Sequence, residues 1–165
     1  MCLEAEKEFE NTIVEHGGII TKICYYFSTN PDEFNDLRQE VLYNIWKGWD
    51  NFRNQSKLSS WIYRICFNTC ISFQRKSKRS KENISIDRVI DIPYEDEPSY
   101  VEKYNMMHNL IQQLKYEDRA IILMWLDEKS YDEISELMGM NRNTVAVRLK
   151  RIKERLVRLS QNNGI

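Results

Sequence analysis

Cys66 and Cys70 stand one helical turn apart, a spacing at which two thiolates could grip a metal ion. No further ligand pair occurs at a matching spacing, so the expected role of both is that of buried core thiols. Other groups capable of catalysis are as thinly spread. The two histidines, His16 and His108, are isolated, and the acidic residues fall mainly in a linker and on solvated faces. An enzyme acting on nucleic acid needs metal-binding carboxylates or a nucleophile in a pocket. The expectation is therefore a protein with no catalytic residue, no metal and no cofactor.

What the sequence does offer is hydrogen-bonding and cationic chemistry on helices. The stretch SYDEISELMGMNRNTVAVRLKR runs from Ser130 to Arg151. Ser130 and Glu133 have the spacing of a capping box, which starts a helix near Tyr131. Tyr131, Ile134, Leu137 and Met138 then share one side of it. Gly139 can take the left-handed conformation that ends a helix, and Asn141 is an N-cap for a second helix, predicted from Arg142 to about Leu159. Two helices joined by a short turn containing glycine form a helix-turn-helix. On the second helix Val145, Leu149, Ile152 and Leu156 make the buried stripe. Asn143, Val147 and Lys150 point the opposite way, flanked by Ala146 and Arg151. Asn pairs with adenine edges, Lys and Arg with guanine or phosphate, and Val or Ala with a thymine methyl. Arg142 and the helix N-terminus favour a phosphate. Short helical hairpins with a basic outer face also occur in proteins that never touch DNA, but the three signals at correct offsets favour a DNA reader.

A second cationic segment, KLSSWIYRICFNTCISFQRKSKRSK, covers residues 57–81 and contains no acidic group. It reads as one long helix with a basic tail, Arg75, Lys76, Lys78, Arg79 and Lys81, suited to phosphates. Leu58, Trp61, Ile62, Ile65, Cys66, Thr69 and Phe73 form the predicted buried stripe, with Tyr63, Phe67, Ile71 and Gln74 facing away from it. Lys57, Ser60 and Arg64 lie near the helix start. Aromatic rings beside cations suit unpaired bases. Upstream, Asp36 to Trp49 forms a helix with Phe34, Leu37, Val41 and Ile45 on one face. Its other face carries Gln39, Leu42, Tyr43 and Trp46. Large apolar groups among polar ones mark either a partner surface or a helix packed on both sides, and periodicity alone leaves both open.

These elements need a frame, and the bulk numbers bound it. The chain has 165 residues, 42% hydrophobic, with only five glycines and three prolines. Few breakers among many strong helix formers predict an all-α protein. The net charge of −1 conceals segregation: residues 1–56 carry −5, residues 57–81 carry +7, residues 82–129 carry −6 and residues 130–165 carry +3. Two basic islands in an acidic chain imply two anionic contacts. The expected organisation is a helical domain over 1–80, a flexible acidic linker over 81–99 and a second helical domain over 100–165. The linker holds Pro93, Pro98 and the run Glu95-Asp96-Glu97. The four cysteines do not form the disulfide framework of a secreted protein. Neither a signal peptide nor an apolar run of about 18 residues occurs, so a cytoplasmic protein without membrane insertion is expected.

The segments together resemble an extracytoplasmic-function sigma factor, of the sigma-70 type of bacterial RNA polymerase initiation factors. The stretch from Asp36 to Arg79 is similar to region two, through Asp36-Leu37-x-Gln39-Glu40, Trp46, Phe52-Arg53 and Trp61-x-Tyr63-Arg64-Ile65 before Asn68. The stretch from Ser130 to Leu156 is similar to region four, through Tyr131-x-Glu133-Ile134, Gly139, Thr144-Val145 and Arg148-Leu149-x-Arg151. That resemblance implies a promoter-directing polymerase subunit. Asp36, Gln39, Glu40, Tyr43 and Trp46 would dock on the beta-prime clamp of the RNA polymerase core. Asn54, Gln55, Ser56 and Lys57, with Ser60, Tyr63, Arg64, Arg75 and Lys76, would bind the minus-ten promoter element and capture an unstacked base. Arg142, Asn143, Ala146, Val147, Arg148, Lys150 and Arg151 would bind the minus-thirty-five element. Such proteins are commonly held inactive by an anti-sigma factor. The relatives' Leu-Pro pair is here Leu114-Lys115. A stand-alone helix-turn-helix regulator is the alternative, but it would not need the surface from Asp36 to Trp49.

Overall fold

The computed structural model describes residues 3–52, 54–80 and 98–164, without the side chains of residues 79, 80 and 98–100. Arg53, Lys81 and the expected linker up to residue 97 therefore lie outside the described residues, as does the side chain of Arg79. Among the described residues there are seven helices and no strand, and the fold is all-α. The helices are α1 (Leu3–Phe27), α2 (Pro31–Trp49), α3 (Leu58–Ser80), α4 (Pro98–Gln112), α5 (Tyr116–Leu126), α6 (Tyr131–Met138) and α7 (Arg142–Asn162). They fall into two compact units, Met1–Ile86 and Asp87–Ile165.

In the first unit α1, α2 and α3 each pack on the other two. Helix α1 places Glu4 and Glu6 in its first turn, where the helix dipole favours anions. It buries Ile20, Ile23, Cys24 and Phe27 at helical spacing near its other end. Helix α2 starts five residues before the predicted Asp36. Asn30 caps it, its Oδ1 accepting the Glu33 N–H at 2.8 Å, and Pro31 follows with its φ already set for a helix. Leu37, Val41 and Ile45 are fully buried on the core side.

Helix α3 corrects the sequence reading. Tyr63, Phe67, Ile71 and Gln74, expected to face away from the core, are all buried, whereas Leu58, Trp61, Ile65 and Phe73 are only half-buried. The cause is that α3 has two helical neighbours instead of one, so its buried arc spans more than half its circumference. Phe67 meets Phe27 of α1 at a centroid distance of 6.1 Å. Gln74 is buried because it is used: its amide donates to the carbonyl of Phe27 and, at 3.3 Å, to the Glu33 carboxylate. That carboxylate also accepts the Thr29 N–H and hydroxyl, each at 2.7 Å. One polar cluster thus ties the end of α1, the start of α2 and the last turns of α3, so its polar groups are buried with partners.

In the second unit α5 is buried over Arg119–Met124, as a short helix enclosed by its neighbours must be. Leu110, Ile111 and Leu114, Ile134 of α6, and Val145, Leu149 and Ile152 of α7 complete the core. At Leu114-Lys115 α5 starts without a side-chain N-cap, and buried Arg119 instead ties down the end of the preceding helix. Its Nη2 donates to the carbonyls of Gln112 at 2.8 Å and Leu114 at 3.2 Å, a cation on the end of α4.

Candidate nucleic-acid and polymerase interfaces

The α6–turn–α7 hairpin forms as its residues dictate. The Ser130 hydroxyl accepts the Glu133 N–H at 3.1 Å, and the Glu133 carboxylate accepts the Ser130 N–H at 2.7 Å. Gly139 ends α6 at φ 64°, and the Asn141 side chain accepts the Asn143 N–H at 2.8 Å to begin α7. Val145, Leu149 and Ile152 are buried, and Leu156 is half-buried. That leaves Asn143, Val147, Lys150 and Arg151 exposed, Val147 at 50%, with Ala146 half-buried beside them.

The cations on α7 divide into two kinds. Lys150 and Arg151 make no ion pair among the described residues. Arg142 lies 3.0 Å from the Asp132 carboxylate and 5.8 Å from the centre of the Tyr131 ring. Arg148 is held by Asp118 of α5 at 2.7 Å. It is a packed strut on the flank of α7, and its partner 30 residues upstream leaves no local pattern in the sequence.

In the first unit the loop before α3 is built on aromatic contacts. Phe52 lies against Trp61 at 4.9 Å, and Trp61 approaches Trp49 at 6.2 Å. Gly48 sits under that indole, where an added Cβ would stand 3.0 Å from it. The loop then turns through Asn54 at φ 53°, a left-handed conformation that asparagine tolerates. Asn54, Gln55 and Lys57 are exposed and Ser56 and Ser60 half-buried. Tyr63 is 4% exposed and presents no ring to a base, which corrects its expected place beside DNA. The outer stripe of α3 is Arg64, Asn68, Ser72 and Arg75, with Lys76 and Lys78 beside it. Asn68 and Ser72, not among the expected site residues, are exposed on this stripe at four-residue steps from Arg64 that are visible in the sequence.

On α2, Asp36, Gln39, Glu40 and Tyr43 share the face opposite Leu37, Val41 and Ile45, and all four are exposed. Trp46 is half-buried, its indole meeting Phe9 of α1 at 4.8 Å. The face is thus part open and part self-packed. Between α2 and α3, Glu40, Asn44, Asn68, Thr69, Ser72, Phe73 and Lys76 line an open groove of about 470 Å³. Cys66 and Cys70 are buried. Burial, then neighbouring Cys24, pushes the Cys66 thiol far above its ordinary range, so it is not the thiolate that metals and electrophiles take. Among the described residues, no group of three or more His, Cys, Asp or Glu is placed to hold a metal ion, and no helix is long and apolar enough to cross a membrane.

Both halves match known families. Residues 12–80 match the model of sigma-70 region 2, and residues 104–156 match that of sigma-70 region 4. The chain belongs to the sigma-70 family, with regions two and four in order. It is an RNA polymerase sigma factor of the extracytoplasmic-function type, a transcription initiation factor that binds core polymerase and promoter DNA. Among its relatives, RNA polymerase sigma factor SigV of Bacillus subtilis (strain 168) is 27% identical over 140 residues, covering 84% of this chain and 82% of the relative. ECF RNA polymerase sigma factor SigW of the same strain is 29% identical over 150 residues, covering 83% and 80%. In fold the chain is similar to the sigma factor RpoE in its complex with the anti-sigma factor NepR from Bartonella quintana. The TM-score is 0.72 at 22% identity, covering 94% of this chain and 98% of that one. The similarity to CnrH, in complex with the cytosolic domain of CnrY, has a TM-score of 0.69 at 17% identity, covering 95% and 90%.

Proposed function

We propose that three surfaces divide the work of promoter recognition, with residues 1–80 and 100–165 as the two DNA-binding domains. The face of α2 formed by Asp36, Gln39, Glu40, Tyr43 and the open side of Trp46 docks on the polymerase clamp. The loop Asn54, Gln55, Ser56 and Lys57 takes the minus-ten element, together with Ser60, Arg64, Arg75 and Lys76. Asn68 and Ser72 continue that stripe. Helix α7 reads the minus-thirty-five element through Asn143, Ala146, Val147, Lys150 and Arg151, while Arg142 and Arg148 serve phosphates or the helix's own seating.

The observation that carries this reading is the outward face of α7. It sets an amide, two small apolar groups and two unengaged cations on one side of a capped helix, the mixture that base edges and phosphates require. The chain itself performs no catalysis; the polymerase supplies the chemistry, and the work is done in the cytoplasm. An anti-sigma factor is a further proposed partner, supported by the structure of a protein of similar fold, RpoE, in complex with the anti-sigma factor NepR.

Run-off transcription with purified core polymerase tests the reading. Addition of the protein should produce transcripts from its mapped promoters and none from scrambled templates. A protein that footprints DNA alone but confers no promoter-dependent transcription on the core would be a stand-alone regulator instead.

A further inference from the structure

The cations at the front of α7 are held in different ways. Arg142 and Asp132 pair across side chains that are 61% and 79% exposed, where water screens most of the attraction. Arg148 and Asp118 are only 31% and 21% exposed. Both Nε and Nη2 of Arg148 donate to Oδ1 of Asp118, at 3.1 and 2.7 Å. Two donors on one oxygen hold the guanidinium against Asp118 more firmly than a single contact would. The anchor is firm, because Asp118 sits in the first turn of α5, whose next residues are core. At 100° per residue, Arg148 lies about 130° round α7 from the centre of the face made by Asn143, Val147 and Lys150.

We propose that Asp118 is a positioning residue for promoter discrimination. It withdraws Arg148 from the set of free cations and fixes the rotation of α7 about its own axis. Released from Asp118, Arg148 is one more flexible phosphate contact, which strengthens binding to any sequence. A helix free to roll also presents Asn143 and Lys150 less faithfully to base edges. Both effects act in one direction: the pair suppresses indiscriminate binding and favours the correct box. The inference rests on α7 being the reader of the minus-thirty-five element.

The test uses the full chain assembled with core polymerase. Two duplex probes are compared, one carrying a promoter mapped by transcript sequencing and one with its minus-thirty-five box scrambled. Asp118→Asn keeps the shape and removes the charge. It should lower the ratio of promoter to scrambled binding about tenfold, the size of one lost base contact, with the scrambled probe bound as well as before or better. Asp118→Glu should keep the ratio of the native protein. Unfolding of the second unit would also lower the ratio, but it would weaken the scrambled probe and lower the denaturation midpoint. A native midpoint with an unchanged ratio in Asp118→Asn overturns the proposal, as does a fall in the ratio that comes only with unfolding. The double variant Lys150→Ala, Arg151→Ala separates the two levels. If it lowers the ratio while Asp118→Asn does not, only the role of Asp118 fails; if neither lowers it, the assignment of α7 as reader fails first.

Discussion

The ring of Phe9 stands edge-on against the indole of Trp46, 4.8 Å from centre to centre and inclined by 76°. It also meets Trp49 at 5.6 Å, so one residue of α1 covers two tryptophans of α2. Trp46 therefore serves the bundle with one face and leaves the other open. Tyr43, one turn earlier and 59% exposed, has no such divided duty.

The polymerase face can accordingly be tested without disturbing the bundle. Tyr43→Ala and Gln39→Ala should leave the denaturation midpoint unchanged while weakening capture by core polymerase severalfold. Trp46→Ala should weaken capture and also lower the midpoint, with a stability loss of about 2 kcal/mol from the lost packing. Full-strength capture by Tyr43→Ala and Gln39→Ala in a pull-down would remove this face from the interface.

On α7, Lys150→Ala and Arg151→Ala should each weaken promoter use while circular dichroism stays native, because neither residue supports the core. A residue that meets phosphate should also lower the slope of log affinity against log salt by about one. Transcription from a native promoter at wild-type level in both variants would contradict the recognition-helix assignment.

The hairpin was legible because each of its signals is local. Ser130, Glu133, Gly139 and Asn141 act on backbone groups within four residues, so spacing alone reveals them. Helix α2 began earlier than the hydrophobic period implied, since its start is set by Asn30-Pro31 and by Glu33, whose carboxylate is held by Thr29 of the preceding loop and by Gln74 of α3. The faces of α3 were misassigned for a related reason. A helix with two neighbours buries a wide arc, and periodicity ranks residues without saying how many neighbours exist. Tyr63 and Gln74 therefore looked exposed from sequence and are not. The Arg148–Asp118 contact spans 30 residues and leaves no local trace.

Helix ends give a quantitative check. Ser130→Ala removes the hydroxyl that accepts the Glu133 N–H and should lower the stability of the second unit by about 1 kcal/mol. Gly139→Ala meets no neighbouring atom within 4 Å, but at φ 64° it should still cost about 1–2 kcal/mol through backbone strain. Urea denaturation of both variants measures this, and a midpoint equal to wild type in Gly139→Ala would show that the turn relaxes.

Burial raises the Cys66 thiol from its ordinary 9.0 and the Tyr25 hydroxyl from 10.0. Unfolding lets both ionise at ordinary values, so above them the unfolded chain binds fewer protons than the folded one. Stability is then fully present below pH 9.0 and falls as the pH rises further. Each such group steepens the fall by up to about 1.4 kcal/mol per pH unit. Denaturation at pH 7, 9 and 10 should show this fall, and a thiol reagent should label Cys66 only on unfolding. Rapid labelling of Cys66 in the native protein would contradict its burial.

The proposal of two separate DNA contacts meets its most direct test in a footprint of the reconstituted polymerase on a mapped promoter. Protection should fall in two patches, one at each promoter element. Lys150→Ala with Arg151→Ala should erase only the upstream patch, and Arg64→Ala with Arg75→Ala should weaken only the downstream one. A single patch, or upstream protection that survives the loss of Lys150 and Arg151, would show that α7 does not read the promoter.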